Sequence, residues 1–175
     1  MKRVIVWDGE TATRDSGWIN PTSTCIIGSQ TFESHSGKTA VQFKFKDSAD
    51  WLGLGWDWAA FQVGPYGTEI TAMKNFTSCL KVKGTSAGLS FNLLCNGVPA
   101  IDQPQYHTEK VIVAKYCPQW KDGEWHQIIV LMKNLVQPKD FDPKYLAEMQ
   151  LFNTGVGDGC LFIDDPAFND QNISK

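Results

Sequence analysis

A chain of 175 residues with 42% hydrophobic and 20% charged residues is long enough for one domain with a sizeable core, and we take residues 1–175 as that domain. Its net charge of −3 gives no basis for binding nucleic acid or an anionic membrane surface. No apolar run approaches the ~18 residues of a membrane-spanning helix, and the first run is too short for a signal peptide, so any export signal is expected to have been removed or never to have been present.

Short runs rich in Val, Ile, Phe and Trp follow one another along the chain and predict strands almost throughout. In the second run, Val41, Phe43 and Phe45 alternate with polar residues, which is typical of a half-buried strand. Eight or nine strands with little helix predict an antiparallel β-sandwich of the jelly-roll type. The runs cover residues 2–7, 39–46, 51–56, 76–83, 88–95, 110–116, 125–132, 147–154 and 160–168.

Local signals refine this pattern. Gly84 and Gly88 bracket a polar turn between two apolar runs and predict a hairpin. Helix is predicted only at Asp142, which can cap a short turn with Pro143 in its first position. The five cysteines form no CxxC pair, so a zinc or redox motif is not indicated, and buried thiols are favoured over a bridge within the predicted hairpin.

The residue patterns of common enzymes are absent from the sequence. It contains no GxSxG elbow, no HExxH and no phosphate-binding loop. Glycoside hydrolases need two carboxylates across the scissile bond, and no predicted strand carries acids on alternate residues. The three histidines are far apart in the sequence, and His126 is expected to be a half-exposed structural residue at the start of a strand. We therefore assign no catalytic residue and expect no enzyme activity.

Aromatic residues are concentrated in the stretch "WLGLGWDWAAF". Strand alternation places Trp51 and Asp57 on one face, beside two glycines that leave the face open. Trp56 and Trp58 fall on the other face with two leucines, where the strand is expected to bend into a loop that contains Tyr66. The stretch therefore predicts a core strand that turns into a binding site.

Aromatic rings bind pyranose rings because the axial C–H groups of the sugar stack on a π surface while nearby polar groups take its hydroxyls. Stacking of nucleic-acid bases would need basic neighbours, which this stretch lacks. Two other tryptophans, Trp7 and Trp125, are expected in the core. The predicted carbohydrate-binding residues are Trp51, Trp56 and Trp58, supported by Trp18, Trp120 and Tyr66, with Asp57, Asn92, Gln103 and Gln150 as polar partners.

Acidic residues lie at both ends of the chain. Asp8 and Glu10 follow the first predicted strand, and Asp164 and Asp165 end the last one. If the terminal strands pair, these carboxylates converge where the small-residue loop 33–40 could add backbone carbonyls, and calcium requires six to eight such oxygens. The alternative is that Asp164 caps a turn and Asp165 faces solvent.

Five segments in this order together resemble the non-catalytic carbohydrate-binding modules with a calcium-containing β-jelly-roll fold. These modules are found in secreted bacterial enzymes that degrade plant cell walls. The segments are "VIVWDGE", "SHSGKTAVQFKF", "WLGLGWDW", "KDGEWHQIIVLMKNL" and "MQLFNTGVGDGCLFIDDPAF".

The resemblance implies a structural calcium ion held by Asp8 or Glu10, by Asp164, and by carbonyls of the 34–38 loop. Asp165 is followed by proline where many relatives have asparagine and an aliphatic residue, which leaves open which of the two aspartates faces the ion.

The resemblance also implies a β-glucan-type ligand, such as cellulose chains, mixed-linkage glucan or xyloglucan. It implies an extracellular module attached to a catalytic module, and nothing in the sequence indicates more than a monomer. Two other classes stay open: a glycoside hydrolase or polysaccharide lyase on a jelly roll, and a protein-binding adhesion module whose exposed aromatics form the interface.

Overall fold

The computed structural model describes residues 2–6, 17–20, 25–30, 33–45, 52–57, 68–84, 88–96, 105–154, 158–171 and 173. For some strand residues, among them 17–20, 25–30 and 52–57, this description is of the backbone alone.

These residues form twelve strands. Their bounds are β1 Arg3–Ile5, β2 Gly17–Asn20, β3 Cys25–Gln30, β4 Ala40–Phe45, β5 Leu52–Asp57, β6 Asn75–Gly84, β7 Gly88–Asn96, β8 Gln105–His107, β9 Val111–Ile112, β10 His126–Leu131, β11 Leu146–Thr154 and β12 Gly159–Asn169.

The strands form two antiparallel six-stranded sheets, which confirms the predicted fold class. The first sheet has the order β10-β6-β12-β4-β3, with β1 paired to the last part of β12. The second sheet has the order β2-β5-β11-β7-β8, with β9 paired to the first part of β7. Within the part of the chain that the structure describes, no helix is long and apolar enough to cross a membrane.

Alternation along each strand separates a core face from an outer face. In β6, Phe76, Leu80 and Val82 are at most 2% exposed and join the core, whereas Lys83 is exposed. The ring of Phe76 lies 5.0 Å from that of Phe91 in the second sheet, centroid to centroid, so the two sheets pack face to face. Burial of a side chain of this size contributes about 1.5–3 kcal/mol to folding.

Helical structure among the described residues consists of three 3₁₀ turns, Val113–Lys115, Met132–Asn134 and Pro143–Tyr145. The last one confirms the predicted short turn. The side chain of Asp142 accepts a hydrogen bond from the backbone N–H of Lys144 at 3.0 Å, and Pro143 takes the first position, where a missing N–H costs nothing.

The predicted hairpin is wrong. Gly84 ends β6 in the first sheet and pairs with Gly159, whereas Gly88 begins β7 in the second sheet and pairs with Thr154. The segment between the two glycines therefore connects the sheets. A turn signal predicts that the chain changes direction, but it does not indicate which strand the next one will pair with.

Other boundaries also differ from the prediction. The strands β2, β3 and β8 had no predicted run, and the run 110–116 gives only two strand residues before a 3₁₀ turn. The last strand does not end at the paired aspartates. It continues through a β-bulge between Asp164 and Ala167 to Asn169.

Candidate functional site

The outer face of the second sheet carries the described polar and aromatic groups that are suited to a ligand. Along β11, Met149 and Leu151 belong to the core, so Glu148, Gln150 and Phe152 lie on the opposite face. Along β7, the core residues are Phe91, Leu93 and Cys95, and the residues between them lie on that same outer face. The outer face of the second sheet therefore contains two of the predicted polar partners, Asn92 and Gln150.

Four sequence-distant positions form a continuous row across this face, here called the polar row. Trp18 pairs with Gly55, Gly55 pairs with Gln150, and Gln150 pairs with Asn92. The backbone register thus joins β2, β5, β11 and β7 at one level of the sheet. The middle of the row has no side chain at Gly55, which leaves space beside the half-buried Gln150.

A second row lies one level along the same strands. Gly53 pairs with Phe152, Phe152 pairs with Ser90, and Ser90 pairs with Ile112. Phe152 is half-buried, and the amino group of Lys110 lies 4.2 Å from the centroid of its ring. Because a cation at this distance interacts favourably with an aromatic face, Lys110 is positioned beside the ring from the edge of the sheet.

His107 on β8 lies beside the polar row, because it pairs with Leu94, two residues along β7 from Asn92. Its Nδ1 lies 3.5 Å from Nδ2 of Asn92, and its side chain also hydrogen-bonds that of Gln150. His107 is exposed overall, yet partial burial of the ring lowers its pKa, and the bond to Gln150 acts in the opposite direction. The amide of Asn92 thus faces a mainly neutral imidazole at neutral pH.

The side-chain carbonyl oxygen of Asn92 is an acceptor without a described donor. Asn92 is 5% exposed, and its Oδ1 is buried without a hydrogen-bond partner among the described residues. A buried acceptor left unpaired costs roughly 1–3 kcal/mol. A hydrogen-bond donor from outside the described residues would therefore bind favourably to this oxygen.

The predicted stacking residues are only partly described. Trp18, Trp56 and Asp57 are described by their backbones, with Trp56 opposite Met149 and Asp57 opposite Glu148. The remaining predicted sugar-binding positions lie outside the described residues; they are Trp51, Trp58, Tyr66 and Gln103.

Trp120 is a correction. Its side chain is 3% exposed and belongs to the hydrophobic core, so it cannot stack on a sugar ring. Its backbone N–H donates to the carbonyl of Cys117 at 3.2 Å, in a turn that folds the ring inward. Trp125 was predicted to lie in the core, and it does not. It is half-buried and stands outside the core cluster, with its ring 6.5 Å from that of Phe162 on the outer side of the first sheet.

Asp164 lies on the outer side of the first sheet and is 1% exposed. Its Oδ2 accepts hydrogen bonds from the backbone N–H groups of His35 at 2.8 Å and Ser36 at 2.9 Å. Its Oδ1 accepts from the backbone N–H of Asp165 at 2.9 Å. Burial raises the pKa of Asp164, and the donations from Ser36 and His35 oppose that rise.

The described residues show only part of the calcium site that the resemblance implies. The loop turns N–H groups toward Asp164, whereas calcium would require oxygen atoms at those positions. Asp165 accepts a hydrogen bond from the Ser36 hydroxyl at 2.7 Å and lies near an imidazole and a thiol, which are not calcium ligands. Asp8 and Glu10 lie outside the described residues, so the calcium site stays a prediction.

The four cysteines with described side chains are free, and Cys79, Cys95 and Cys117 are buried. Cys79 and Cys95 lie in different sheets, as the connection between β6 and β7 requires. Burial raises the pKa of the Cys79 thiol to about 12, and the carboxylates of Asp165 and Asp164 act in the same direction. The expectation of buried thiols is thereby confirmed for these residues.

Comparison with solved structures supports the fold. A family 30 carbohydrate-binding module of a cellulosomal cellulase from Clostridium thermocellum matches with a TM-score of 0.72 at 10% identity, covering 99% of this chain and 100% of that one. A family 11 module from Clostridium thermocellum, in complex with a β-1,3-1,4-mixed-linked tetrasaccharide, matches with a TM-score of 0.65 at 10% identity, covering 95% of each chain.

The chain has the fold of a carbohydrate-binding module. The same fold also matches part of a larger protein, an exo-β-agarase, with a TM-score of 0.65 at 8% identity, covering 97% of this chain and 25% of that one. No protein-family model and no curated protein matches the sequence. The resemblance drawn from the five segments is confirmed at the level of the fold.

Two groups on the outer face of the second sheet were missed by sequence reasoning. Phe152 has the same strand parity as Gln150, so the alternation in "AEMQLFNT" already placed the ring and the amide on one face. His107 has no comparable signal in the sequence, because β8 has only three residues and no local sequence pattern predicts that it pairs with β7.

Proposed function

We propose that the chain is a non-catalytic module that binds β-glucan-type polysaccharide on the outer face of its second sheet. The ligand class comprises cellulose chains, mixed-linkage glucan and xyloglucan. The observation that carries this proposal is the pairing of Gln150 with Gly55 and of Phe152 with Gly53. It presents a half-buried amide and a half-buried ring on one face, each beside a position without a side chain.

This combination suits a pyranose ring. The ring of Phe152 offers an apolar surface for the C–H groups of the sugar, and Gln150 and His107 offer hydrogen-bonding groups for its hydroxyls. A sugar hydroxyl is also a donor of the kind that the buried Oδ1 of Asn92 lacks. Extended polysaccharides fit an open sheet face better than a closed pocket because several consecutive rings can contact it.

The tryptophans extend the same surface in this proposal. Trp18 continues the polar row, and Trp51 and Trp58 flank the two ends of β5. Together with Tyr66 they supply the stacking rings beyond Phe152, and Asp57, whose position pairs with Glu148 of the outer face, adds a carboxylate for hydroxyl groups. Affinity then comes from a few stacked rings, each contributing about 1–3 kcal/mol by analogy with base stacking.

The proposed setting is an extracellular protein in which this monomeric module keeps an attached catalytic module near its polysaccharide. The support is the fold shared with a module of a cellulosomal cellulase and with part of an exo-β-agarase. The module itself performs no chemistry in this proposal.

Affinity electrophoresis against mixed-linkage glucan, xyloglucan and hydroxyethylcellulose tests the proposal. We expect retardation of the protein in at least one gel, and loss of most of it in Gln150→Ala and Phe152→Ala. Gln127→Ala and Lys44→Ala are matched controls, because both residues are exposed and lie on strands of the first sheet, β10 and β4. Retardation that survives in both site variants would refute this location for the site.

Two further assays distinguish the proposed function from the two other functional classes, an enzyme and a protein-binding adhesion module. Sustained release of reducing ends or of unsaturated products from the polysaccharides would identify an enzyme. An adhesion module would be identified by two results together. No polysaccharide would retard the chain, and a protein partner would bind it equally well with and without mixed-linkage oligosaccharide.

A further inference from the structure

Three side chains with different donor atoms converge on the outer side of the first sheet, opposite in the sandwich from the proposed carbohydrate face. They are His35 in the loop before β4, Cys79 in β6 and Asp165 in the bulge of β12. A ring nitrogen, a sulfur and a carboxylate oxygen, one from each, all lie within 4.8 Å of one another. The Nδ1 of His35 is 3.8 Å from Oδ2 of Asp165.

Each of the three residues is fixed by its surroundings. Cys79 is 2% exposed and forms no disulfide. Asp165 has a φ of 52°, a left-handed conformation that is uncommon for residues other than glycine, and its backbone N–H is bound to Asp164. The ring of His35 meets that of Trp125 edge-on at 5.9 Å.

The segment that carries His35 is also held at its start. Glu33 forms ion pairs with Lys81 at 3.0 Å and with Lys83, and the hydrogen bonds from these two lysines lower the pKa of Glu33. The backbone N–H of His35 donates to Asp164. The imidazole is therefore presented to Cys79 and Asp165 by a loop with several anchors to β6 and β12.

Nitrogen, sulfur and oxygen donors in one cluster define the class of cation. Zinc and its neighbours in the first transition series accept imidazole, thiolate and carboxylate together, whereas calcium and magnesium require oxygen donors. Bonds of about 2.0–2.3 Å in a tetrahedral site place its donor atoms roughly 3.3–3.8 Å apart. Donor atoms that lie up to 4.8 Å apart need to approach one another by at most about 1.5 Å to reach this geometry.

We propose that His35, Cys79 and Asp165 bind a divalent transition-metal ion of the zinc class. Three protein ligands leave the fourth position of a tetrahedral site to water or to another donor. On binding, the Cys79 thiol releases its proton to solvent and ligates as thiolate. The ion would tie the 33–39 loop to β6 and β12, and it would stabilise the folded chain because the unfolded chain does not hold the three ligands together.

Cobalt(II) is the probe, because it occupies zinc sites and reports its ligands spectroscopically. The full chain, first treated with chelator, is titrated with Co²⁺ alone. We expect saturation at one equivalent, a near-ultraviolet thiolate-to-cobalt charge-transfer band, intense visible bands typical of tetrahedral coordination, and loss of both when Zn²⁺ is added.

Variants locate the site. Cys79→Ser should abolish the charge-transfer band, whereas Cys160→Ser, which removes a more accessible thiol, should leave it unchanged. His35→Ala should weaken Co²⁺ binding on the order of 10-fold or more, as expected for loss of a metal-site residue. Because His35 is exposed, this variant keeps the test valid even if Cys79→Ser fails to fold.

Thermal unfolding supplies a second readout. We expect Zn²⁺ to raise the melting temperature of the wild-type chain and to have little effect on His35→Ala. The proposal is overturned by the absence of a charge-transfer band, by a band that depends on Cys160 rather than Cys79, or by stabilisation with Ca²⁺ and not with Zn²⁺. Binding to polysaccharide is expected to be independent of Zn²⁺, since the two sites lie on different sheets.

Discussion

The carboxylate of Asp164 accepts the backbone N–H of His35 at 2.8 Å, across 129 positions of the sequence. A second N–H, from Ser36, reaches the same oxygen at 2.9 Å. One buried carboxylate of β12 thereby holds the loop before β4 against the first sheet. Its function in the described structure is that of an anchor for a backbone segment, made by direct hydrogen bonds.

The first prediction follows from this anchor. Asp164→Ala leaves both loop N–H groups without their acceptor, and hydrogen bonds to a charged group contribute roughly 1.5–3 kcal/mol each. Removal of a buried charge offsets part of this loss, so we expect the free energy of unfolding to fall by about 3 kcal/mol. Urea denaturation at neutral pH in the presence of chelator measures it.

Asp140→Ala is the matched control, because this aspartate is exposed in a turn and should change the stability by less than about 0.5 kcal/mol. Equal stability of the two variants would show that the loop does not depend on Asp164.

The second prediction tests whether the side chain of Trp120 belongs to the core or to the binding surface. Because the ring is buried, Trp120→Ala should lower the free energy of unfolding by about 3–5 kcal/mol. Trp120→Phe keeps part of the apolar volume, so it should fold, with reduced stability and with unchanged retardation in the polysaccharide gels. Loss of retardation in a folded Trp120→Phe protein would contradict the assignment to the core.

The fold was predictable because its signal is local. Alternation in β4 and β11 and the turn residues between strands suffice to indicate a sandwich, and Asp142 with Pro143 indicates its own short turn. Which strands pair is decided by long-range packing. The two glycines at 84 and 88 therefore looked like a hairpin although they lie in different sheets.

The candidate sites were predictable to different degrees. Gln150 and Asn92 follow as candidates from side-chain chemistry alone, and only the register of β7 and β11 places them side by side. The prediction for Trp120 is wrong because the turn after Cys117 directs its side chain inward, which no local pattern in the sequence indicates. The cluster of His35, Cys79 and Asp165 follows no spacing rule, since its ligands come from three segments that meet only in the fold.

The third prediction concerns pH and His107. Its pKa in the folded chain is lowered by burial below the usual value near 6.5, so the folded state binds fewer protons than the unfolded state between the two pKa values. Its stabilising contribution is therefore complete above about pH 6.5 and is lost as the pH falls through the lowered pKa. Protonation also places an N–H of His107 against the amide hydrogens of Asn92.

We therefore expect affinity for mixed-linkage glucan to be constant above neutral pH and to weaken at acidic pH in the wild-type chain. His107→Gln should flatten this dependence, whereas His126→Gln, which removes a histidine bound to Asp122 at 2.8 Å, should retain it. Titration of binding at fixed ionic strength measures the effect. A profile that keeps its acidic decline in His107→Gln would assign the dependence to another group.

The fourth prediction compares two glycines that have similar backbones and different surroundings. Gly84 and Gly123 have φ values of 96° and 90°, which strain any residue with a side chain. A Cβ at Gly84 would lie 2.3 Å from the carbonyl oxygen of Asp158 and 2.7 Å from Cα of Gly159, whereas a Cβ at Gly123 would meet nothing within 4 Å. The backbone strain is shared, but the steric conflict occurs at only one position.

Gly123→Ala should therefore lower the free energy of unfolding by about 1–2 kcal/mol, the cost of a left-handed conformation. Gly84→Ala should cost clearly more, because the end of β6 must move away from β12, where Gly84 pairs with Gly159. Parallel urea denaturation of the two variants measures the difference. If both variants lose the same free energy of unfolding, the contact between the ends of β6 and β12 relaxes without cost. The close pairing of Gly84 with Gly159 would then not determine how the chain passes from the first sheet to the second.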